Sequence, residues 1–146
     1  MNKKSVVNKY CEMKKVHQAE VSAFPMFFAF DSEQFSEGMT KLGLAPDDTD
    51  EICKLGTLGG FIRKTDASAF REILKRHEQE LTAAIAADKT GEGFIYDMFC
   101  YELANHEFGY TGDIADTLDA LDLTQQDLNK NPALQHGLQK ACSALK

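Results

Sequence analysis

Glu92-Gly93-Phe94-Ile95-Tyr96-Asp97-Met98-Phe99-Cys100-Tyr101-Glu102-Leu103-Ala104-Asn105-His106-Glu107-Phe108 decides how the chain must fold. Wound as a helix, it carries Phe94, Ile95, Met98, Phe99, Cys100, Leu103 and Ala104 on nearly every side. A helix without a solvent face belongs at the centre of a fold, so the flanking segments have to surround it.

Upstream, Phe70, Ile73, Leu74, His77, Leu81, Ala84 and Ile85 recur at i, i+3, i+4, i+7 spacing, which predicts an amphipathic helix over 68–87. Its far side holds Glu72, Lys75, Arg76, Glu78 and Glu80, a solvated face, and Thr90-Gly91 breaks the chain before the apolar segment. Downstream, Gly109 to Gly112 reads as a turn. Asp113 and Asp116 then stand as N-cap and N3 of a short helix with the stripe Ile114, Leu118, Leu121. Thr124 with Asp127 repeats that signature. Asn131 and Pro132 suit the N-cap and N1 of a last helix with Leu134, Leu138, Cys142 and Leu145 inward.

Further toward the amino terminus, Val6, Tyr10, Met13 and His17 predict a helix from Ser5 to Val21, closed by Ala23 and Pro25. Met26-Phe27-Phe28-Ala29-Phe30 is short, aromatic and bounded by proline and aspartate, which suits a buried strand. Asp31 or Ser32 caps a helix with Phe35, Met39 and Leu42 on one stripe. Gly43 closes it in a left-handed cap and Leu44 folds back. Pro46 with Asp47, Asp48, Asp50 and Glu51 reads as a short helical start, and Gly56, Gly59 and Gly60 lead into a second strand at Phe61 to Lys64. The expected fold is α+β and predominantly helical, with a small two- to three-stranded sheet packed against a helical bundle.

A chain of 146 residues with 43% hydrophobic and 27% charged content is expected to form one domain over 1–146, with the helix in 1–23 at its periphery. Cys11, Cys53, Cys100 and Cys142 show no CxxC pair, so reduced thiols are expected. The amino terminus lacks an apolar leader core and no window approaches membrane-spanning length, which makes the cytoplasm the expected compartment. The formal net charge of -7 is concentrated late in the chain. That disfavours direct nucleic-acid binding, which draws on Lys and Arg, and favours a basic surface of a protein or ribonucleoprotein complex as partner.

Glu102, Asn105 and His106 are the polar face of the apolar helix, and Glu102 with His106 at i, i+4 has the spacing of a metal pair or of a base with its orienting carboxylate. A metal needs a third ligand, and no HExxH motif or Cys/His cluster supplies one. A satisfied boundary pair is the commoner meaning, and no metal, cofactor or catalytic residue is assigned. His77 lies on an apolar stripe, His17 is comparable and His136 is expected at the surface. The Asp47 to Glu51 cluster fails as a calcium loop because Cys53 stands where glycine is required. Gly56-Thr57-Leu58-Gly59-Gly60 leads into a strand rather than a helix amino terminus, so a tight β-bend explains it better than a phosphate cradle.

Leu121 to Leu128 has the outline of a helix-turn-helix with Gln125, Gln126 and Asn129 toward bases, but its surroundings are acidic. Asp113, Asp116, Asp119 and Asp122 remain. An acidic stripe is usually a solvated face, and the functional alternative is a surface that docks a basic partner.

The stretches Phe27 to Gly38, Gly59-Gly60-Phe61-Ile62-Arg63-Lys64 and Tyr101-Glu102-Leu103-Ala104-Asn105-His106-Glu107 resemble a family of uncharacterised small proteins of bacteriophages and mobile elements of gut bacteria. The resemblance covers about residues 24 to 140 and implies no activity or catalytic residues. It implies a context in which small acidic proteins bind and block host enzymes, including nucleic-acid-guided defence nucleases, as anti-CRISPR proteins do. The resulting expectation is a non-enzymatic protein-binding module, with homo-oligomers open. The alternatives are a small metal-dependent or hydrolytic enzyme using Glu102 and His106, and a helix-turn-helix-like DNA-binding regulator.

Overall fold

The computed structural model describes residues 7–56 and 59–145. Ser5 and Val6 of the first expected helix, and Thr57-Leu58 of the glycine bend, lie outside the described residues. Among those described, the fold is predominantly helical α+β, with eight α-helices and a three-stranded antiparallel sheet. Where one domain is expected, the contacts gather into two compact units: the chain up to His17 together with Gln79 onward, and Gln18–Glu78. The boundaries fall within α1 (Lys9–Ala23) and within α3 (Ala67–Ala87).

In the unit formed by Gln18–Glu78, α2 (Ser32–Lys41) begins as the sequence predicts, with Asp31 Oδ1 accepting the Gln34 amide at 2.8 Å. It ends as predicted too. Gly43 takes φ 77°, its amide reaches Thr40 O, and the Leu44 amide reaches back to Met39 O at 2.9 Å. The sheet order is β1 (Phe27–Phe28), β3 (Gly60–Arg63), β2 (Ile52–Lys54), all antiparallel, with Phe27 opposite Phe61 and Cys53 opposite Ile62. Phe27 stacks on Phe61 at 5.2 Å between ring centroids, and Phe35 meets both rings edge-on. Met39, Leu42 and Ile52 complete this core.

Three expectations are corrected in this unit. The buried five-residue strand at Met26 to Phe30 is only two residues long: Phe27 is buried, Phe28 is 52% exposed and Phe30 is 92% exposed. Side chains alternate across a strand, and the Gln34 side chain takes the Phe30 amide at 2.7 Å, so the helix start carries Phe30 away from the core. The acidic run after Pro46 makes only a 3-10 turn at Thr49–Glu51 before β2, a strand the sequence reading missed because three residues are too few to display alternation. Leu74, on the predicted apolar stripe, is exposed.

In the other unit, α4 (Phe94–Asn105) lies at the centre, with Ile95, Met98, Phe99 and Leu103 fully buried. Around it pack Tyr10 of α1, Phe108 of α5 (Phe108–Thr111), Leu118 of α6 (Ala115–Ala120), Leu128 of α7 (Gln125–Lys130), and Leu134, Leu138 and Ala141 of α8 (Pro132–Ala144). The first half of α1 is therefore integral to this unit: Tyr10 is 5% exposed. Asn8 caps α1 through the Cys11 amide, Thr124 and Asp127 form a capping box on α7, and Asn131 with Pro132 opens α8.

The central helix is shorter than predicted. It stops at Asn105, Glu107 takes a left-handed conformation (φ 58°), and α5 occupies most of the expected Gly109 to Gly112 turn. That kink returns Phe108 to the core. Asp113 is not the N-cap of α6; Ile114 is, while Asp113 Oδ1 accepts the Ala115 amide at 2.9 Å.

Two backbones meet closely where α8 crosses the start of α4. A Cβ on Gly137 would lie 2.5 Å from Ile95 Cγ2 and 2.7 Å from Gly91 O, and one on Gly91 would lie 2.0 Å from Ala133 O. In an ordinary helix interior Gly→Ala stabilises by about 1 kcal/mol. Here the sign should reverse, with Gly137→Ala costing about 1–3 kcal/mol in urea unfolding, because the added methyl overpacks the crossing.

The loop before α4 is organised by Asp88, whose carboxylate accepts the Gly91, Gly93 and Ile95 amides at 2.9–3.0 Å. Burial raises this carboxyl, but the amides of Ile95, Gly91 and Gly93 and the Thr90 hydroxyl outweigh it and hold it below the usual carboxylate range. A depressed folded-state value contributes stability above the ordinary carboxyl range that disappears as pH falls through the folded value. Asp88→Asn should cost about 1–2 kcal/mol at neutral pH, and the gap to wild type should close below about pH 4 in unfolding curves taken across pH.

Candidate functional site

Asp113, Asp116, Asp119 and Asp122 follow one another at intervals of three along α6 and its flanks, and all four are exposed. Thr117 and Leu118 occupy the buried side of the helix, which leaves Asp116 and Asp119 on the side toward water. Asp122 follows the helix in a left-handed conformation (φ 54°). Among the described residues no Lys, Arg or His nitrogen comes within 4.0 Å of any of the four. Asp127, by contrast, is used internally: the Thr124 amide and hydroxyl hold its carboxyl below the usual range.

The polar face of α4 does not stay together. Glu102 is 2% exposed, Asn105 is exposed, and His106 is half-buried with Nε2 3.6 Å from Glu102 Oε2. Glu102 points toward α1 instead, where its Oε1 accepts from Tyr10 Oη and Lys14 Nζ, each at 3.2 Å. Lys14 also lies over the Tyr10 and Tyr101 rings, 5.6 and 5.3 Å from their centroids. Burial, and then the Glu102 carboxylate, push the Tyr10 hydroxyl well above its ordinary value, so it remains a neutral donor. A carboxylate with this many partners is a clamp between α1 and α4. Neither Glu102 nor His106 lines the clefts of about 790, 460 and 280 Å3, and no three His, Cys, Asp or Glu side chains gather as a metal group among the described residues.

The remaining histidines also face carboxylates: His17 is 3.3 Å from Glu80, His77 3.2 Å from Glu20, and His136 3.4 Å from Glu92. Arg76 also binds Glu20 and, with His77, holds that carboxyl below its usual range. Because each pair joins separate elements, the sequence offers no spacing signal for it. The outline of α6, turn and α7 is present, with Gln125, Gln126 and Asn129 exposed, but Gln125 Nε2 donates to Asn129 Oδ1.

The profile described as a family of unknown function, DUF7659, matches residues 9–144. The chain belongs to that family. The match runs from the first residue of α1 to the last of α8, so the DUF7659 fold comprises both units. Comparison with curated proteins and with solved structures finds no match.

Within this DUF7659 fold the Tyr10–Glu102 contact should behave as a structural clamp. Tyr10→Phe is expected to cost about 0.5–1.5 kcal/mol, the net value of one hydrogen bond. Glu102→Ala is expected to cost about 2–4 kcal/mol, because it strands the buried Tyr10 hydroxyl and opens a cavity. Chemical denaturation of the two variants checks this order.

Proposed function

We propose that the chain is a non-enzymatic protein-binding module that docks a basic surface through Asp113, Asp116, Asp119 and Asp122. The observation that carries this reading is the contrast between used and unused carboxylates. Between Lys89 and Lys130 there is no Lys or Arg, while Glu92, Asp97, Glu102, Glu107, Asp113, Asp116, Asp119, Asp122 and Asp127 all fall there. Glu102 is consumed by the α1 clamp, Asp97 accepts the Lys9 amide, Glu92 pairs with Lys140, and Asp127 sits in a capping box. Asp113 gives one oxygen to the Ala115 amide, and Asp116, Asp119 and Asp122 are left to project a negative field with it. Tyr110, 94% exposed in the same stretch of chain, is the type of side chain that anchors interfaces.

A surface rich in Lys and Arg is the complementary partner, and such surfaces are built where proteins hold phosphates. The reading therefore extends to an inhibitor of a bacterial defence or nucleic-acid-handling complex, encoded by a phage or mobile element of gut bacteria and acting in the host cytoplasm, as anti-CRISPR proteins do. Direct binding of nucleic acid is disfavoured by the same carboxylates. No described helix is long and apolar enough to cross a membrane.

Charge reversal at Asp116 and Asp119 combined with Asp113→Asn, which keeps the oxygen that accepts the Ala115 amide, should abolish salt-sensitive recovery of a basic partner from bacterial lysate, while the circular dichroism spectrum and Tm stay close to wild type. Recovery of that partner by the reversed variant in low salt would remove this surface as the interface.

A further inference from the structure

The unit formed by Gln18–Glu78 contains a cleft of about 790 Å3, within the range of small-ligand sites. Its apolar walls are Val21, Met26, Phe27, Phe28, Leu55 and Phe70. Gln18 and Ser22 of α1 and Gln34, Glu37 and Lys41 of α2 supply its polar groups. Phe28, half exposed, is seated on β3 at Gly60, where a Cβ would come within 3.1 Å of its ring. The aromatic wall is thus already in place while part of it still faces water.

The charges select the ligand. Glu37 and Lys41 stand one turn apart on α2, a spacing that normally lets Glu and Lys bridge. Here they do not: no ion pair within 4.0 Å involves either side chain among the described residues. An anionic head alone would meet Glu37, and a cationic head alone would meet Lys41. A molecule with both charges, set apart by more than the width of an ion pair, satisfies each. An extended dipeptide spans about 7 Å and has this separation between its free termini.

We propose that this cleft binds a short apolar peptide with free termini, of dipeptide length. Its ammonium group is placed at Glu37, its carboxylate at Lys41, and its side chains against Phe28 and the neighbouring apolar wall. This assignment is independent of the acidic surface around α6, and its test does not involve those residues.

The test is amide-resolved NMR titration of the full chain with L-leucyl-L-phenylalanine, its N-acetyl form, its C-terminal amide, and free L-phenylalanine. The unmodified dipeptide should give saturable shifts around Phe28 and Gly38, and each of the other three should bind at least about fivefold more weakly, the scale of one lost charge-assisted contact. Glu37→Gln should weaken the dipeptide and its amide but leave the N-acetyl form unchanged. Lys41→Met should weaken the dipeptide and the N-acetyl form but leave the amide unchanged. Both side chains are exposed, so the variants should fold as wild type does. No saturable shift up to about 20 mM dipeptide, equal binding of all four compounds, or indifference to both substitutions would overturn the proposal.

Discussion

The close crossing of α8 over the start of α4 is the constraint on which the larger unit depends. Gly91 and Gly137 let the two backbones approach to a separation that a methyl group on either would prevent. Ile95 is thereby sealed, and Leu134, Leu138 and Ala141 reach the same core as Met98, Phe99 and Leu103. Apolar burial supplies the driving force and the two glycines set its geometry. The smaller unit repeats the device on a helix and a strand. A Cβ on Gly38 would lie 2.1 Å from Phe27 Cδ2, so α2 can lie flat on the aromatic layer of the sheet only because that position has no side chain.

Around the central helix, polar groups divide into those that hold the fold and those left over. Glu102, buried in a helix otherwise rich in apolar side chains, is accommodated because Tyr10 and Lys14 arrive from α1 and His106 stands one turn away. Asp88 and Asp127 are likewise spent on backbone amides. An isolated buried carboxylate would be costly, whereas one with several donors ties two elements together. Around α6 only Asp113 has such a task, one oxygen accepting the Ala115 amide, while Asp116, Asp119 and Asp122 have none among the described residues, and that difference makes this stretch the candidate surface.

Much of this was legible in the amino-acid order, and the limits of legibility are physical. Asp31, Gly43, Thr124, Asp127, Asn131 and Pro132 each act within a few residues of themselves, so the ends of α2, α7 and α8 fell where capping chemistry puts them. The burial of α4 followed from its all-round apolar composition. β2, at three residues, is too short to display alternation, and the exposure of Phe30 is invisible in an aromatic run, which records hydrophobicity and not direction. The break at Glu107 had no warning, since the residue there is neither glycine nor proline. For the candidate site, exposure of the α6 aspartates was readable from Leu118 on the opposite side. The fate of Glu102 was not, because its partners lie about ninety residues earlier in the chain.

The sequence by itself determined helix starts and stops, the predominance of helix over strand, and the acidity of the later chain, because these depend on neighbours a turn or two away. Only the tertiary structure decided which polar groups are consumed and which are offered to solvent. It turned an apparent His/Glu pair into a four-residue clamp, placed every histidine beside a glutamate, and opened a peptide-sized cleft between the unpaired charges of α2 and an aromatic wall. The physical reason is that hydrogen bonds, ion pairs and cavities are made between elements, whose meeting is set by packing and leaves no periodic trace in the chain.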